Sequence, residues 1–374
     1  MKVLSYLKKA ALVSAVAGIV AVLTLMPADC AGGVKKGLEY SCRIIIPSLF
    51  PYMALSSFII RSGAMDDISE LLSPVTKALF NLPGCCTPCI LLSMAGGFPV
   101  GAKCTAVLYE KGKISSSQAQ RLMCFCVCPG PAFLITGVGA VMLGNTAAGA
   151  VIYLAQVISC FIVGIAAGLF ARLFRKGKEI EAPSAEKAPQ KSLVSNIVLS
   201  VSDGAYSIIG MAAMIVIFTM AETVIRSSGI YDMAAQFLIS VGADGRFASF
   251  LMPAFMEVTG GCQAVIDNSL PLWCFSLCTG FGGLCVHMQI FDILGKLPFR
   301  RGQFMLFRLI SAILSAAMTY IICMVFRPAL MVFAAGGGAE GQISSVSIAG
   351  SIALTVMSAL FVLSMHKADG KLKT

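Results

Sequence analysis

The sequence predicts an all-α, polytopic membrane protein built from two inverted repeats, each with a re-entrant helical hairpin and a broken transmembrane helix. Three observations lead there. Apolar residues are 57% of the 374, charged residues 12%, and mean hydropathy is +0.87, whereas a soluble domain carries roughly 25% charged residues. Landmarks recur at a near-constant offset: Arg61 as Arg226 (226 − 61 = 165), Asp67 as Asp232 (also 165), and Gly96-Gly97 as Gly260-Gly261 (260 − 96 = 164). Finally, matched apolar segments are interrupted by Gly and Pro, a pattern that in membrane chains marks the substrate site of a transporter.

Eight crossings are expected: Ala10–Met26, Ile44–Ile60, Met123–Leu143, Ala147–Phe170, Tyr206–Ile225, Trp273–Leu294, Phe304–Phe326 and Ile348–Met365. Each is close to the roughly 20 apolar residues that span a bilayer. The first lies behind Lys2, Lys8 and Lys9 like a signal peptide, but Asp29-Cys30-Ala31 is a poor cleavage site, so the segment reads as a retained helix. Cys86–Leu108 and Phe247–Leu270 are broken, at Gly96-Gly97-Phe98-Pro99-Val100-Gly101 and at Thr259-Gly260-Gly261. Gly removes the side chain and Pro the donor, so each is expected to fold back as a hairpin. Met65–Leu82 and Ile230–Val241 are amphipathic and occupy matching places along opposite membrane surfaces.

Lys and Arg sit mostly between spans, which the positive-inside bias explains without invoking a nucleic acid polymer, despite a net charge of +10. With both termini cytoplasmic, the basic segments fall inside, except Lys35, Lys36 and Arg43 in a first outer loop and Arg226, Arg246 and Arg327. The organisation is then an N-terminal helix and loop (1–40), a first repeat (41–172), a cytoplasmic linker (173–195), a second, inverted repeat (196–327), and an outer loop with a last span and tail (328–374). The lipid bilayer is the first partner, and a bacterial inner membrane the expected location.

The hairpin breaks are the strongest site candidates, because backbone that leaves a helix at membrane depth must be buried in protein or line a wet cavity. The first supplies Gly96, Gly97, Phe98, Pro99, Gly101 and Lys103; the second supplies Glu257, Thr259, Gly260, Gly261 and Gln263. A carboxylate at that depth needs a partner, a proton or water, and Lys103 is one expected partner for Glu257. Two later helices are broken at Cys128-Pro129-Gly130-Pro131 and Thr279-Gly280-Phe281-Gly282-Gly283, about thirty residues past the first hairpin break and about twenty past the second, with His287 and Gln289 following the second. Glu222 is expected to mark the interface, and Asp292 to pair with Lys296 on one helical face. The 15 cysteines lie mostly in apolar runs and there are two histidines, so they are expected to pack as small hydrophobes and to hold no metal. No hydrolase or phosphate-loop motif is present, and neither catalysis nor a cofactor is expected.

Several motifs also resemble a known family. Pro47-Ser-Leu-Phe-Pro51, Leu82-Pro-Gly-Cys85, Gly96-Gly-Phe-Pro-Val-Gly-Ala-Lys103-x-Thr105, Leu108-Tyr-Glu110, Pro129-Gly-Pro-Ala-Phe133 and Met142-Leu-Gly-Asn145 are similar to the YlbJ-type sporulation integral membrane proteins of the nucleoside-recognition, or Gate, domain family. The resemblance runs from about Cys42 to Phe326, with Cys126 and Cys128 standing where relatives often carry Asn or Ser near the Pro-Gly-Pro break. It implies a fold akin to concentrative nucleoside transporters and a role in spore cortex formation. The expected function is a permease for a small polar, nucleoside-like solute. The alternatives are a non-transporting scaffold for other sporulation membrane proteins, and an intramembrane hydrolase using Glu257 and His287.

Overall fold

A computed structural model describes residues 2–174, 192–295 and 297–335, and all regular structure among them is helical. Five helices are long and apolar enough to cross a membrane: Pro27–Ser62, Thr146–Phe174, Leu193–Ser227, Trp273–Ile293 and Arg301–Phe326. The helices are α1 (Lys2–Leu25), α2 (Pro27–Tyr40), α3 (Ile46–Ser62), α4 (Ala64–Phe80), α5 (Thr87–Gly96), α6 (Phe98–Glu110), α7 (Ser116–Met123), α8 (Thr146–Phe174) and α9 (Leu193–Ser227). There follow α10 (Ile230–Ser240), α11 (Gly245–Met256), α12 (Val258–Asp267), α13 (Trp273–Phe281), α14 (Gly283–Ile293) and α15 (Arg301–Ala335). The expected last span, Ile348–Met365, the outer loop beyond Ala335, the middle of the linker and Lys296 lie outside the described residues.

The scaffold is a long antiparallel pair. α2 and α3 run as one 36-residue rod, Pro27–Ser62, against α9. Gly33 faces Met220, Gly37 faces Val216 and Thr219, Gly204 faces Ala54, and Arg61 binds Asp203. Small residues carry this contact because lipid tails provide no hydrophobic drive between helices, so backbones associate by close approach. Here the expectation is corrected. Lys35, Lys36 and Arg43 do not sit in an outer loop but on the rod, where Arg43 pairs with Glu39 at 2.9 Å one turn away. Pro47 offers no N–H to the preceding turn, and there the rod widens into a π-helical turn over Ser41–Ile45, with Ile46 N–H reaching the Ser41 carbonyl.

Since α3 and α9 are antiparallel, the chain leaves them at opposite ends of the pair. From Ser62 it enters α4 and then α5; from Ser227 it enters α10 and then α11. Both segments fold back on themselves. Cys89 Sγ reaches Thr105 Oγ1 and the Gly101 carbonyl, each at 3.4 Å, which brings α5 against α6. A Cβ on Gly261 would overlap Ala254, which brings α12 against α11.

The first fold-back breaks at Gly97, whose φ of +87° and ψ of −173° suit glycine alone. The second breaks elsewhere than expected. Thr259, Gly260 and Gly261 lie inside the first turn of α12, and the chain leaves the helix at Glu257 (φ −150°, ψ 139°). The Glu257 carboxylate accepts the Gly260 N–H at 2.8 Å and so starts the new helix. Gly260 and Gly261 serve close packing instead, against Glu222 and Ala254.

The two later interruptions fall where the sequence put them. Non-helical chain from Cys124 to Gly130 separates α7 from a π-helical segment, Ala132–Met142, and Gly282 (φ +93°) separates α13 from α14. Buried apolar side chains form clusters about Phe80–Phe125, Phe133–Phe275 and Phe98–Phe304.

The packing glycines differ from the idle ones in a measurable way. Gly37→Ala drives a methyl into the Val216 backbone, 2.7 Å from its Cα, and is expected to cost about 1–3 kcal/mol. Gly210→Ala has nothing within 4 Å on the same helix pair and should gain about 0.5–1 kcal/mol of helix propensity. Thermal unfolding of the two purified variants checks the opposite signs.

Candidate functional site at the hairpin tips and helix breaks

Each hairpin tip rests on the broken helix of its own half. A Cβ on Gly97 would lie 3.3 Å from Gly130 N, and one on Gly130 would lie 3.0 Å from Gly97 N. In the second half a Cβ on Gly283 would lie 3.2 Å from both the N and the Cα of Glu257. The breaks are also neighbours of each other. Phe98, the first residue after the Gly97 tip, comes within 3.6 Å of the position a Cβ would take on Gly282.

What joins the breaks is a residue that sequence reasoning missed. Arg308 on α15 is only 1% exposed. Its Nη1 donates to the Val127 carbonyl at the first break, its Nη2 to the Gly280 carbonyl and its Nε to the Phe281 carbonyl at 3.4 Å, the last two ending α13. Its guanidinium also stands 5.9 Å over the Phe98 ring. The arrangement has a clear electrostatic basis. The C-terminus of α13 gathers unsatisfied carbonyls and about half a negative charge, and a planar guanidinium has enough donors to serve it and the non-helical Val127 carbonyl together. The signal was present as an arginine five residues into an otherwise apolar span that starts at Phe304.

Gln156 on α8 makes the complementary contact. Its Nε2 donates to the Ser276 carbonyl at 2.9 Å and to Thr279 Oγ1 at 3.0 Å. Gln156 and Arg308 are 152 positions apart (308 − 156), and so are Val127 and Thr279 (279 − 127). The same offset therefore relates both donors and both break residues. Ser315 on α15 adds a hydrogen bond to the Ser276 carbonyl at 2.9 Å, so α13 is held on two sides.

The remaining expected residues separate into two groups. Gly96, Gly97, Phe98, Pro99 and Gly101 surround the first tip and Pro129 and Gly130 meet it; a Cβ on Gly101 would overlap the Cys126 carbonyl. His287 is fully buried beside the second break, where its Nε2 lies 3.0 Å from the Phe281 carbonyl within an enclosure of Phe281, Phe291 and Phe304. Glu257, Thr259, Gly260 and Gly261 form the second tip.

Lys103, Gln263 and Gln289 do not converge there. Lys103 is half-buried on α6, where its charge acts on Asp203 only weakly; the Asp203 carboxylate accepts Ser57 Oγ at 2.8 Å and Arg61 Nη2 at 2.6 Å. Among the described residues no ion pair joins Lys103 to Glu257, and Asp203 on α9 is held by Arg61 and Ser57 on α3. Gln263 turns to Asp267 at 2.9 Å, and Gln289 to Cys285 Sγ at 3.4 Å, each a helical neighbour four residues away. The cysteines are unbonded and mostly buried, and among the described residues no three His, Cys, Asp or Glu side chains are grouped to hold a metal.

With this geometry in place, known proteins were compared. Residues 42–146 match the Gate family model, described as nucleoside recognition. That interval holds the first hairpin tip and the first break. The chain is also 25% identical over 318 residues to the sporulation integral membrane protein YlbJ of Bacillus subtilis (strain 168), covering 77% of this chain and 76% of that protein. The resemblance to the YlbJ-type, Gate-containing membrane proteins holds. No solved structure matches the chain. The match to YlbJ covers about three quarters of each chain, whereas the Gate model stops short of Gln156, Glu257 and Arg308.

Removing the bridge should be costly. Arg308→Met leaves the Val127, Gly280 and Phe281 carbonyls without this donor, at roughly 1–3 kcal/mol for each buried polar group orphaned. Gln289→Ala should stay within about 0.5 kcal/mol of the parent. Unfolding midpoints of both variants in one detergent test the contrast.

Proposed function

We propose that this chain is a sporulation membrane protein of permease type, which moves a small polar, nucleoside-like solute across the bacterial inner membrane during spore cortex formation. One observation carries the reading: two interrupted helices, each seated against a hairpin tip, meet at the buried Arg308. Backbone interrupted at membrane depth is where transporters place solute sites, and paired interruptions suit alternating access. The solute class is taken from the description of the Gate family, and the sporulation role from the name of the YlbJ relative.

The reading includes inverted repeats. Departure of the chain from opposite ends of the α3–α9 pair, and the shared offset of Gln156 with Arg308, both support it. In a membrane the hairpins then enter from opposite faces, the first from the cytoplasm. Single cysteines placed at Lys111 and Asn268, in a background cleared of native cysteines, should be labelled from opposite sides; labelling from the same side overturns the inversion.

A second reading, a non-transporting scaffold, is favoured by the close packing of Phe98 and Arg308 in the space between the breaks. Uptake into proteoliposomes, over a panel of nucleosides and other small polar solutes, separates the two. A permease accumulates at least one solute, and Gly97→Val abolishes that uptake at normal abundance. No uptake over the panel, with sporulation failing only when abundance or partner recovery falls, establishes the scaffold.

A further inference from the structure

We propose that Glu222 and Glu257 together hold one monovalent cation at the tip of the second hairpin. The two carboxylates come from different elements, α9 and the α11–α12 break, and converge on one residue. Glu257 Oε2 accepts the Gly260 N–H at 2.8 Å, while Glu222 Oε2 occupies the space where Gly260 would carry a Cβ. Both residues are 2% exposed.

Glu222 is incompletely satisfied. Its Oε1 meets Arg226 Nη2 at 3.3 Å, but Oε2 is buried and has no hydrogen-bond partner. The Thr219 hydroxyl, one turn earlier on α9, is also buried without a partner, and Thr259 lies buried beside Glu257.

The charges do not balance either. Two buried carboxylates face one guanidinium, and that of Arg226 belongs to a side chain 54% exposed, where solvent screens it. An uncompensated buried carboxylate is far costlier than one with a counter-charge. A single positive charge between Glu222 and Glu257 corrects the balance, and carboxylate and hydroxyl oxygens are the hard donors that an alkali cation takes. A proton shared between the two acids is the other source of that charge. The site is separate from the Arg308 bridge and stands whether or not a solute crosses the membrane.

The test uses the purified full chain in detergent at pH 8 and constant ionic strength. Replacing choline chloride by sodium or potassium chloride should raise the unfolding midpoint by about 5 °C at a hundredfold excess over the dissociation constant. Glu222→Gln should abolish that rise. If the charge is a proton, the alkali ions have no effect, the parent is stabilised on going from pH 8 to pH 5, and Glu222→Gln gains less from the same change; that result overturns the cation site.

The other titratable or charged groups facing the pair are Arg226, Tyr40, Tyr231, Cys262, Cys278 and Cys285, whose ordinary pKa values lie above that window. Glu257→Gln serves as a second variant, judged on its cation response and not on its baseline, because Glu257 also starts α12. A parent indifferent to the alkali cations overturns the proposal, and so does a Glu222→Gln variant that responds to them as the parent does.

Discussion

The structure depends on how one guanidinium satisfies the ends of interrupted helices inside an apolar layer. A helix broken at membrane depth exposes carbonyls that water cannot reach, and each unsatisfied group costs several kcal/mol there. Arg308 meets this cost at both breaks at once, through Val127 on one side and Gly280 with Phe281 on the other. A lysine has three donors at a single point and could not span the two ends with the planar reach of a guanidinium. Because the same side chain serves both breaks, neither half can rearrange without disturbing the other. Gln156, donating across to Ser276 and Thr279, repeats the linkage from α8.

Glycine performs two distinct physical tasks around this bridge. At Gly97 and Gly282 it supplies backbone angles that other residues avoid, with φ of +87° and +93°. At Gly33, Gly37, Gly204, Gly260 and Gly261 the angles are helical, and what matters is the missing side chain, which lets a neighbouring backbone, carboxylate or sulfur approach. In a membrane the second task carries much of the association energy, since packing replaces the hydrophobic drive. The long α2–α3 rod is held to α9 largely in this way.

This distinction explains what was legible in the sequence. Apolar length and composition located α3, α8, α9, α13–α14 and α15, because bilayer thickness sets a fixed requirement, but missed α2, and the single span expected over Met123–Leu143 is split by non-helical chain. The Pro129-Gly130-Pro131 and Gly282-Gly283 breaks were legible because proline and paired glycine leave few helical options. Gly260-Gly261 misled, because a glycine pair in sequence does not say whether it serves backbone freedom or close approach; Glu257 broke the helix by capping the next one. Arg308 escaped because an isolated charge in an apolar span is hard to tell from a snorkelling one until its partners are known. Lys103 and Glu257 form no ion pair among the described residues, because charge complementarity along a chain carries no distance.

The two ends of the α3–α9 pair are charged differently. At one end of the α3–α9 pair, Asp203 is met by Arg61, Ser57 and nearby Lys103, so acid is matched or exceeded by base. At the other end, Glu222 and Glu257 outnumber Arg226. Both tips seat backbone to backbone, Gly97 on Gly130 and Glu257 on Gly283, but the first carries no side chain and the second carries a carboxylate that turns to the Gly260 N–H. A neutral tip held by van der Waals contact gains or loses little with ionic conditions. An acidic tip does not behave so, because the free energy of keeping two carboxylates together depends on what neutralises them. The ionic sensitivity is thus concentrated in the second hairpin, and the shared Arg308 bridge is the physical link by which a change there reaches the first.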